Sequence, residues 1–378
     1  MGWMRMSTAL RLVPDVVIRG RFPFTFDDLA IPFTGLTPIQ RLNLLLEGMD
    51  LLARGDRAWG RPAVLQVEPT NCCSLQCPLC PTGTRTARRP QGHMTAELFD
   101  RVLEDCAPAL LCVVFYGWGE PFLNRDLPRM IAACTHRGVR TIVSTNGQSL
   151  QTLEEAGAVV EAGLSTLIVA VDGGTQETYE RYRRGGLLDR VRLCVANVED
   201  AKRQGGAHHP YTNLRAVLTQ DALAELPALE ALARDSGVNM FSCKTLGCMV
   251  GHEEFPHFEP QAPAFRRFPS AGQPPSPGRF LCPFPYRQPT VFWDGTVVGC
   301  EFDYDLEEPW GRIGEQHFSE IWNGPRARAL RKRLRRGERV EFCRRCPYRH
   351  RAQEGSVILS RELRPVAPPD RAPGRTIV

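Results

Sequence analysis

Short apolar segments alternate with longer amphipathic ones from residue 63 to residue 242, and that alternation restricts the chain more than any other feature. Residues 63–67, 111–115, 139–144, 166–171, 213–218 and 239–242 read as strands. Between them, 95–106, 127–136, 153–162, 191–202 and 223–235 read as helices; Phe99, Val102, Leu103 and Cys106 recur at helical spacing in the first. Short apolar strands alternating with helices argue for parallel βαβ units and an open or closed α/β barrel. Six such units are fewer than the eight of a closed barrel. The expected fold class is α/β, a partial (β/α)6 barrel followed by a small α+β unit.

The flanks read differently. Thr37 as cap and Pro38 at the first helical position open a helix over 37–52, with Ile39, Leu42, Leu45, Met49 and Leu52 on one face. Residues 1–61 are therefore expected to be a helical extension that packs by that face on a barrel spanning 62–250. Residues 251–280, rich in Pro, Phe and Gly, read as a linker, and 281–350 as a second unit. Its clearest signal is a hairpin over 289–298 with Asp294-Gly295 in a type I′ turn. A helix over 318–334 shows a basic face of Arg326, Arg331, Lys332, Arg333, Arg335 and Arg336, read as solvated surface. Residues 351–378 read as a disordered tail.

Net charge excludes little: 47 Lys+Arg against 42 Asp+Glu leave +5, too weak a balance to indicate nucleic acid. No stretch has the 18 apolar residues of a membrane span, and charges interrupt the first thirty residues. The expected compartment is the cytoplasm, where thiols stay reduced and clustered cysteines signify metal or redox sites. The chain has 14 cysteines, so their positions matter.

Cys73, Cys77 and Cys80 follow the first strand with the spacing C-x3-C-x2-C. Three thiolates so close can hold three irons of a cubane and leave the fourth open, or form a zinc knuckle with a further ligand. The next three strands also end in polar or glycine clusters: Tyr116-Gly117-Trp118-Gly119-Glu120-Pro121, Ser144-Thr145-Asn146-Gly147, and Val171-Asp172-Gly173 with Arg183 beyond. In a parallel sheet those carboxyl ends face one site.

Together these motifs resemble the radical S-adenosylmethionine (SAM) superfamily. The resemblance implies a [4Fe–4S] cluster on Cys73, Cys77 and Cys80 with SAM on its open iron. It also implies SAM contacts from Gly117, Gly119, Glu120, Pro121, Ser144, Asn146, Asp172 and Arg183. Trp118 between the two glycines is a common kind of variation in the family. Leu79, where the family often has an aromatic residue, is one departure, and an aliphatic residue also fits that apolar slot.

Cys282, Cys300, Cys343 and Cys346 could ligate zinc or an iron–sulfur cluster by spacing alone. With their surrounding Gly and aromatic residues they resemble the SPASM/twitch extensions of that superfamily, in the shorter pattern that holds one auxiliary [4Fe–4S] cluster. Cys106, Cys112, Cys134 and Cys194 read as packing. Cys243 and Cys248 read either as packing or as a thiol donating hydrogen to a substrate radical. The acidic run Asp303, Asp305, Glu307 and Glu308 reads as a polar loop or the source of a base.

The resemblance implies reductive cleavage of SAM to a 5′-deoxyadenosyl radical and hydrogen abstraction from a small-molecule substrate. The expected outcome is net oxidation through the auxiliary cluster, as in dehydrogenases of sugar or aminocyclitol alcohols. Epimerisation or decarboxylation with Cys248 or Cys243 as donor, and maturation of a peptide, are the alternatives. A flavodoxin- or ferredoxin-type electron donor is expected, and neither nucleic acid nor a membrane span.

Overall fold

From its N-terminus the chain runs through helix α1 (Met6–Val17), strands β1 (Phe22–Phe26) and β2 (Leu29–Phe33), and helix α2 (Pro38–Ala53). This is a computed structural model that describes residues 6–248, 252–269, 282–350 and 356–364. The alternating region follows as β3 (Val64–Val67), α3 (Ala96–Cys106), β4 (Cys112–Phe115), α4 (Leu127–His136), β5 (Arg140–Thr145), α5 (Leu153–Glu161) and β6 (Thr166–Ala170). It continues through α6 (Gln176–Tyr182), α7 (Leu188–Gln204), β7 (Tyr211–Leu218), α8 (Gln220–Ala224), α9 (Leu226–Asp235) and β8 (Met240–Thr245). Beyond lie α10 (Phe255–Phe258), α11 (Phe284–Arg287), β9 (Thr290–Val291), β10 (Thr296–Val298), β11 (Gly311–Arg312), α12 (Phe318–Trp322), α13 (Pro325–Arg335), α14 (Glu341–Arg344) and β12 (Val357–Glu362).

Strands β3 to β8 pair in parallel, each with its successor in the chain, as the expected partial barrel requires. Helices after these strands start on threonine: Thr95, Thr152, Thr175 and Thr219 each accept the amide three residues on. Such a cap contributes about 1 kcal/mol. Strand β9 adds in parallel to β3, so the C-terminal unit continues the same sheet.

The two sheet faces are covered by different parts of the chain. Leu65, Val67, Val113, Phe115, Val143, Leu167 and Val169 pack against helix residues such as Phe99, Val102 and Ile131. Their neighbours Val64, Cys112, Val114, Ile142 and Ile168 pack against Phe24, Phe26, Leu29, Ile31 and Phe33 of the β1–β2 hairpin. Alternation along a strand produces this division. The hairpin therefore plugs the inner face of the partial barrel. Phe24 is 2% exposed, and burying such a side chain is worth about 1.5–3 kcal/mol.

Several expectations change. Residues 1–61 are not all helical, because Phe22-Pro-Phe-Thr-Phe and Leu29-Ala-Ile-Pro-Phe form a hairpin. Asp27 and Asp28 turn it at φ +46° and +63°, and Pro23 pairs opposite Pro32. The period-2 pattern of Phe22, Phe24, Phe26, Leu29, Ile31 and Phe33 was its signal, obscured by the two prolines.

Thr37 and Gln40 do form the capping box of α2, but the helix buries Asn43, Leu44, Glu47 and Asp50. Ile39, Leu42, Met49 and Leu52 are exposed. The polar face wins because it satisfies amides of the chain that follows: Asp50 accepts from Trp59 and Gly60, Asn43 from Arg61, and Glu47 from Ala63. Buried backbone donors require such partners.

The Asp294-Gly295 hairpin forms with a different turn. Gly295 donates its amide to the Phe292 carbonyl and alone has positive φ, +87°, as in a type I turn closed by a left-handed glycine. The expected helix 318–334 breaks into α12 and α13 at Asn323-Gly324-Pro325. Residues 357–362, expected within a disordered tail, form β12 antiparallel to β8. The rest of that tail beyond 364, residues 351–355, and linker residues 251 and 270–280 lie outside the described residues. No helix among the described residues is long and apolar enough to cross a membrane.

Candidate active site

The loop leaving β3 carries Cys73, Cys77 and Cys80, and its packing depends on the loop leaving β4. A Cβ at Gly119 would stand 2.2 Å from the Thr70 carbonyl and 2.8 Å from that of Cys72. Only glycine allows that approach, and it lets the Glu120 amide donate to the Cys72 carbonyl at 2.8 Å. Burial pushes the Cys73 thiol up to about 11, with Glu120, Cys77 and Cys80 adding to it. Burial also raises Cys77, against the nearby Arg183 guanidinium.

Of the expected SAM-binding residues, Gly117, Ser144 and Arg183 line the central chamber with Leu79. The others stand behind it. Glu120, expected to face the ligand, is 2% exposed; it accepts from Thr145 Oγ1 at 2.7 Å, the Asn146 amide at 2.8 Å and the Phe122 amide at 3.2 Å. It braces the end of β4 against β5. Pro121 starts the short turn 121–123 that follows. Asn146 Nδ2 points to Cys73 Sγ (3.7 Å) and Ser74 Oγ (3.4 Å). Asp172 Oδ2 accepts from Arg183 Nε, and its Oδ1 from the Val217 amide at 2.6 Å. Arg183 Nη1 is thereby held 3.9 Å from Cys77 Sγ.

The chamber, about 830 Å³, lies between this loop and the C-terminal unit. Its deep wall is built by side chains the sequence did not single out. The hairpin turn contributes Asp27, whose Oδ2 accepts from Lys244 Nζ at 2.6 Å and Arg215 Nη1 at 3.1 Å. Its Oδ1 accepts from Ser356 Oγ at 3.1 Å and its carbonyl from Arg215 Nη2 at 2.9 Å. Burial alone would raise the Asp27 carboxyl, but Lys244 and Arg215 outweigh it and hold it well below the usual carboxylate range. Four distant segments thus meet at one carboxylate: the hairpin, β7, β8 and the residue before β12.

On the opposite wall Glu301, beside Cys300, accepts from Gln66 Nε2 at 2.6 Å, and burial pushes its carboxyl up. Trp118 reaches across from the β4 loop, donating Nε1–H to the Glu301 carbonyl at 2.7 Å and meeting Phe302 and Tyr304 edge-on. In the acidic run, Asp303 accepts the amides of Glu307 and Glu308, and Asp305 that of Arg88. The run is a self-bonded loop whose Asp303, Asp305 and Glu307 also line the chamber. A buried ion pair adds to the join: Arg89 spans both oxygens of Glu68 at 2.9 and 2.8 Å, with its guanidinium over the Phe292 ring.

Cys248 lines the chamber, whereas Cys243 does not. On β8, Lys244 faces inward, so Cys243 turns outward into the helix-covered core and is 0% exposed. That placement removes it as a hydrogen donor. Cys106, Cys112, Cys134 and Cys194 are buried, as expected of packing thiols.

Cys282, Cys300, Cys343 and Cys346 line one further cavity, walled by Phe284, Leu330 and Leu334. Phe302 and Phe342 line both this cavity and the chamber. Burial and the neighbouring Cys346 push Cys343 up to about 12. Among the described residues no three His, Cys, Asp or Glu side chains converge as ligands of a single ion would. An all-thiol set spread round an apolar cavity suits an iron–sulfur cluster better than one zinc ion.

Comparison with known proteins agrees. Residues 67–209 match the radical SAM superfamily model and residues 282–347 the SPASM iron–sulfur cluster-binding domain, together more than half of the chain. An AdoMet-dependent heme synthase of Methanosarcina barkeri is 26% identical over 176 residues, 47% of this chain and 48% of that protein. The chain thus spans only about half the length of such relatives. The S-adenosyl-L-methionine-dependent 2-deoxy-scyllo-inosamine dehydrogenase of Niallia circulans is 23% identical over 75% of this chain and 92% of its own. Among solved structures, SuiB of Streptococcus suis bound to S-adenosylmethionine superposes with a TM-score of 0.58 at 15% identity, over 78% of this chain and 73% of that one. With its fold, its cysteine triplet and its C-terminal cysteine unit accounted for, the chain belongs to the radical SAM superfamily and carries a C-terminal SPASM domain.

Proposed function

We propose that this enzyme oxidises a small hydroxylated metabolite of sugar or aminocyclitol type. The observation that carries the reading is the single polar chamber that borders both cysteine sites: Leu79 and Arg183 face it from the triplet side, Phe302 and Phe342 from the C-terminal side. Its deep wall offers Lys244, Arg215 and Asp27, groups suited to hydroxyls and amines. The N-terminal strands are spent in filling the barrel, which favours a small substrate over a peptide. The dehydrogenase from Niallia circulans favours the same class.

Cys73, Cys77 and Cys80 would hold the SAM-binding cluster, and Cys282, Cys300, Cys343 and Cys346 the auxiliary one. When bound, these clusters and SAM supply reductive cleavage, hydrogen-atom abstraction and an acceptor for the substrate's second electron. The chain's own part is positional. Asp172 fixes Arg183 beside the triplet, and Gly117 and Ser144 leave room for SAM. Lys244 gives one N–H to Asp27 and can direct others to a substrate oxygen. Trp118, Phe302, Tyr304 and Tyr348 line the chamber with aromatic surface. A flavodoxin- or ferredoxin-type donor would deliver the electron, in the reducing cytoplasm where such thiols persist.

The test is anaerobic turnover of the reconstituted enzyme with SAM and a panel of aminocyclitols and sugars deuterated at carbon. Deuterium in 5′-deoxyadenosine, with one deoxyadenosine per product two hydrogens lighter, supports the reading. Cys248 supports one alternative because it lines the chamber: a redox-neutral reaction would return solvent deuterium to a product of unchanged oxidation level, and that result would replace the proposal.

A further inference from the structure

Residues 326–349 carry eleven Lys and Arg against Glu338 and Glu341, a net +9 in a chain whose total is only +5. The rest of the protein is therefore net negative, and the positive charge is concentrated on α13, α14 and their flanks. Arg331 is buried, but Lys332, Arg336, Arg339 and Arg344 are exposed. Acids do reach this face, with Arg328 paired to Asp56, Arg333 to Glu308, Arg336 to Glu338 and Arg344 to Glu341, but the cations outnumber them. Here the exposed cations lie over one place, because the same segment supplies Cys343 and Cys346. Leu330, Leu334, Gly337, Glu338 and Arg349 of this segment wall the C-terminal cysteine cavity. Gly337 and Glu338 are also exposed, so at that point one layer of residues separates the cavity from solvent.

We propose that this basic face is the docking surface for an acidic one-electron carrier protein. A concentrated field of one sign steers an oppositely charged partner and orients it on encounter. Redox encounters use small, weak, charge-guided interfaces. Nucleic acid would also answer to positive charge, but it has no reason to meet the thin wall of a thiol-lined cavity. The inference rests on the iron–sulfur reading of that cavity and not on the identity of the substrate.

The experiment measures binding of an oxidised flavodoxin to the metal-loaded enzyme by interferometry, from 50 to 300 mM salt. Three proteins are compared: wild type, K332E/R336E/R339E, and R137E/R203E/R234E, which makes the same charge change on exposed arginines of the barrel helices. Iron content of each reports that the clusters remain. The docking surface predicts at least tenfold weaker binding for the first triple variant at 50 mM salt. It predicts little change for the second, and at least tenfold loss for wild type between the two salt limits. Absence of wild-type binding, equal weakening in both variants, or a duplex DNA that outcompetes flavodoxin on wild type would overturn it. Zinc in place of iron at the C-terminal cysteines would overturn the docking surface together with the auxiliary-cluster reading. A substrate outside the sugar and aminocyclitol class would sink only the proposed function and leave face-specific flavodoxin binding to uphold the docking surface.

Discussion

Replacing Glu47 by Gln isolates the energetics of the N-terminal helix. Glu47 lies on α2 and is 5% exposed; its Oε1 accepts the Ala63 amide at 3.1 Å. Burial raises the carboxyl from its ordinary 4.5 to about 7, against the opposing pull of Arg287 and that amide. The folded protein therefore keeps a proton between these values that the unfolded chain has lost. Stability falls as pH rises through 4.5 to 7 and levels off above. At 1.36 kcal/mol per pH unit the whole effect is about 3 kcal/mol, of which about 2 kcal/mol falls between pH 5.5 and 8. Gln keeps the acceptor and the shape but does not titrate. Anaerobic urea unfolding of both loaded proteins at the two pH values should show E47Q gaining about 2 kcal/mol on wild type from pH 5.5 to 8. A difference that stays constant, or that shrinks with pH, would mean the carboxylate is already charged when folded and the reasoning fails.

The same methyl group should have opposite effects at two glycines. Gly119→Ala forces the cysteine loop from its 2.2 Å approach, so iron per chain should drop by about half; Gly157→Ala, in open space on α5, should stabilise by about 0.5–1 kcal/mol in urea unfolding. Asp27→Asn keeps a residue suited to positive φ but removes the charge between buried Arg215 and the half-buried Lys244. It should cost about 3 kcal/mol at pH 7, and adding Lys244→Met should restore part of that in a double-mutant cycle. Cys248→Ala should leave formation of the oxidised product intact by mass spectrometry, since the proposed reaction needs no hydrogen donor; loss of turnover with SAM cleavage retained would point to the redox-neutral alternative.

Sequence periodicity alone determined the six parallel βα units. Strands β3 to β6 are largely apolar, β7 and β8 keep an apolar face toward the helices, and the helices between them carry a 3.6-residue stripe, so local pattern and burial agree. The cysteine sets and the strand-end motifs were legible for a related reason: chemistry at the carboxyl edge of a parallel sheet concentrates in short contiguous loops. What the tertiary structure decided lies where partners are far apart in the chain. Asp27, Arg215, Lys244 and Ser356 carry no local signature, yet one carboxylate gathers them from four segments. The orientation of α2 reversed expectation because amides at residues 59–63 needed acceptors more than Ile39, Leu42 and Met49 needed cover. Tail residues Val357–Glu362 became a strand because the edge of β8 offered unpaired backbone groups. Cys243 and Cys248 were indistinguishable as sequence; strand alternation turned one into the core, and the chain beyond β8 carried the other to the chamber. Period and spacing are local properties that a chain displays before it folds, whereas charge pairing, backbone satisfaction and the closing of a cavity exist only once distant segments meet.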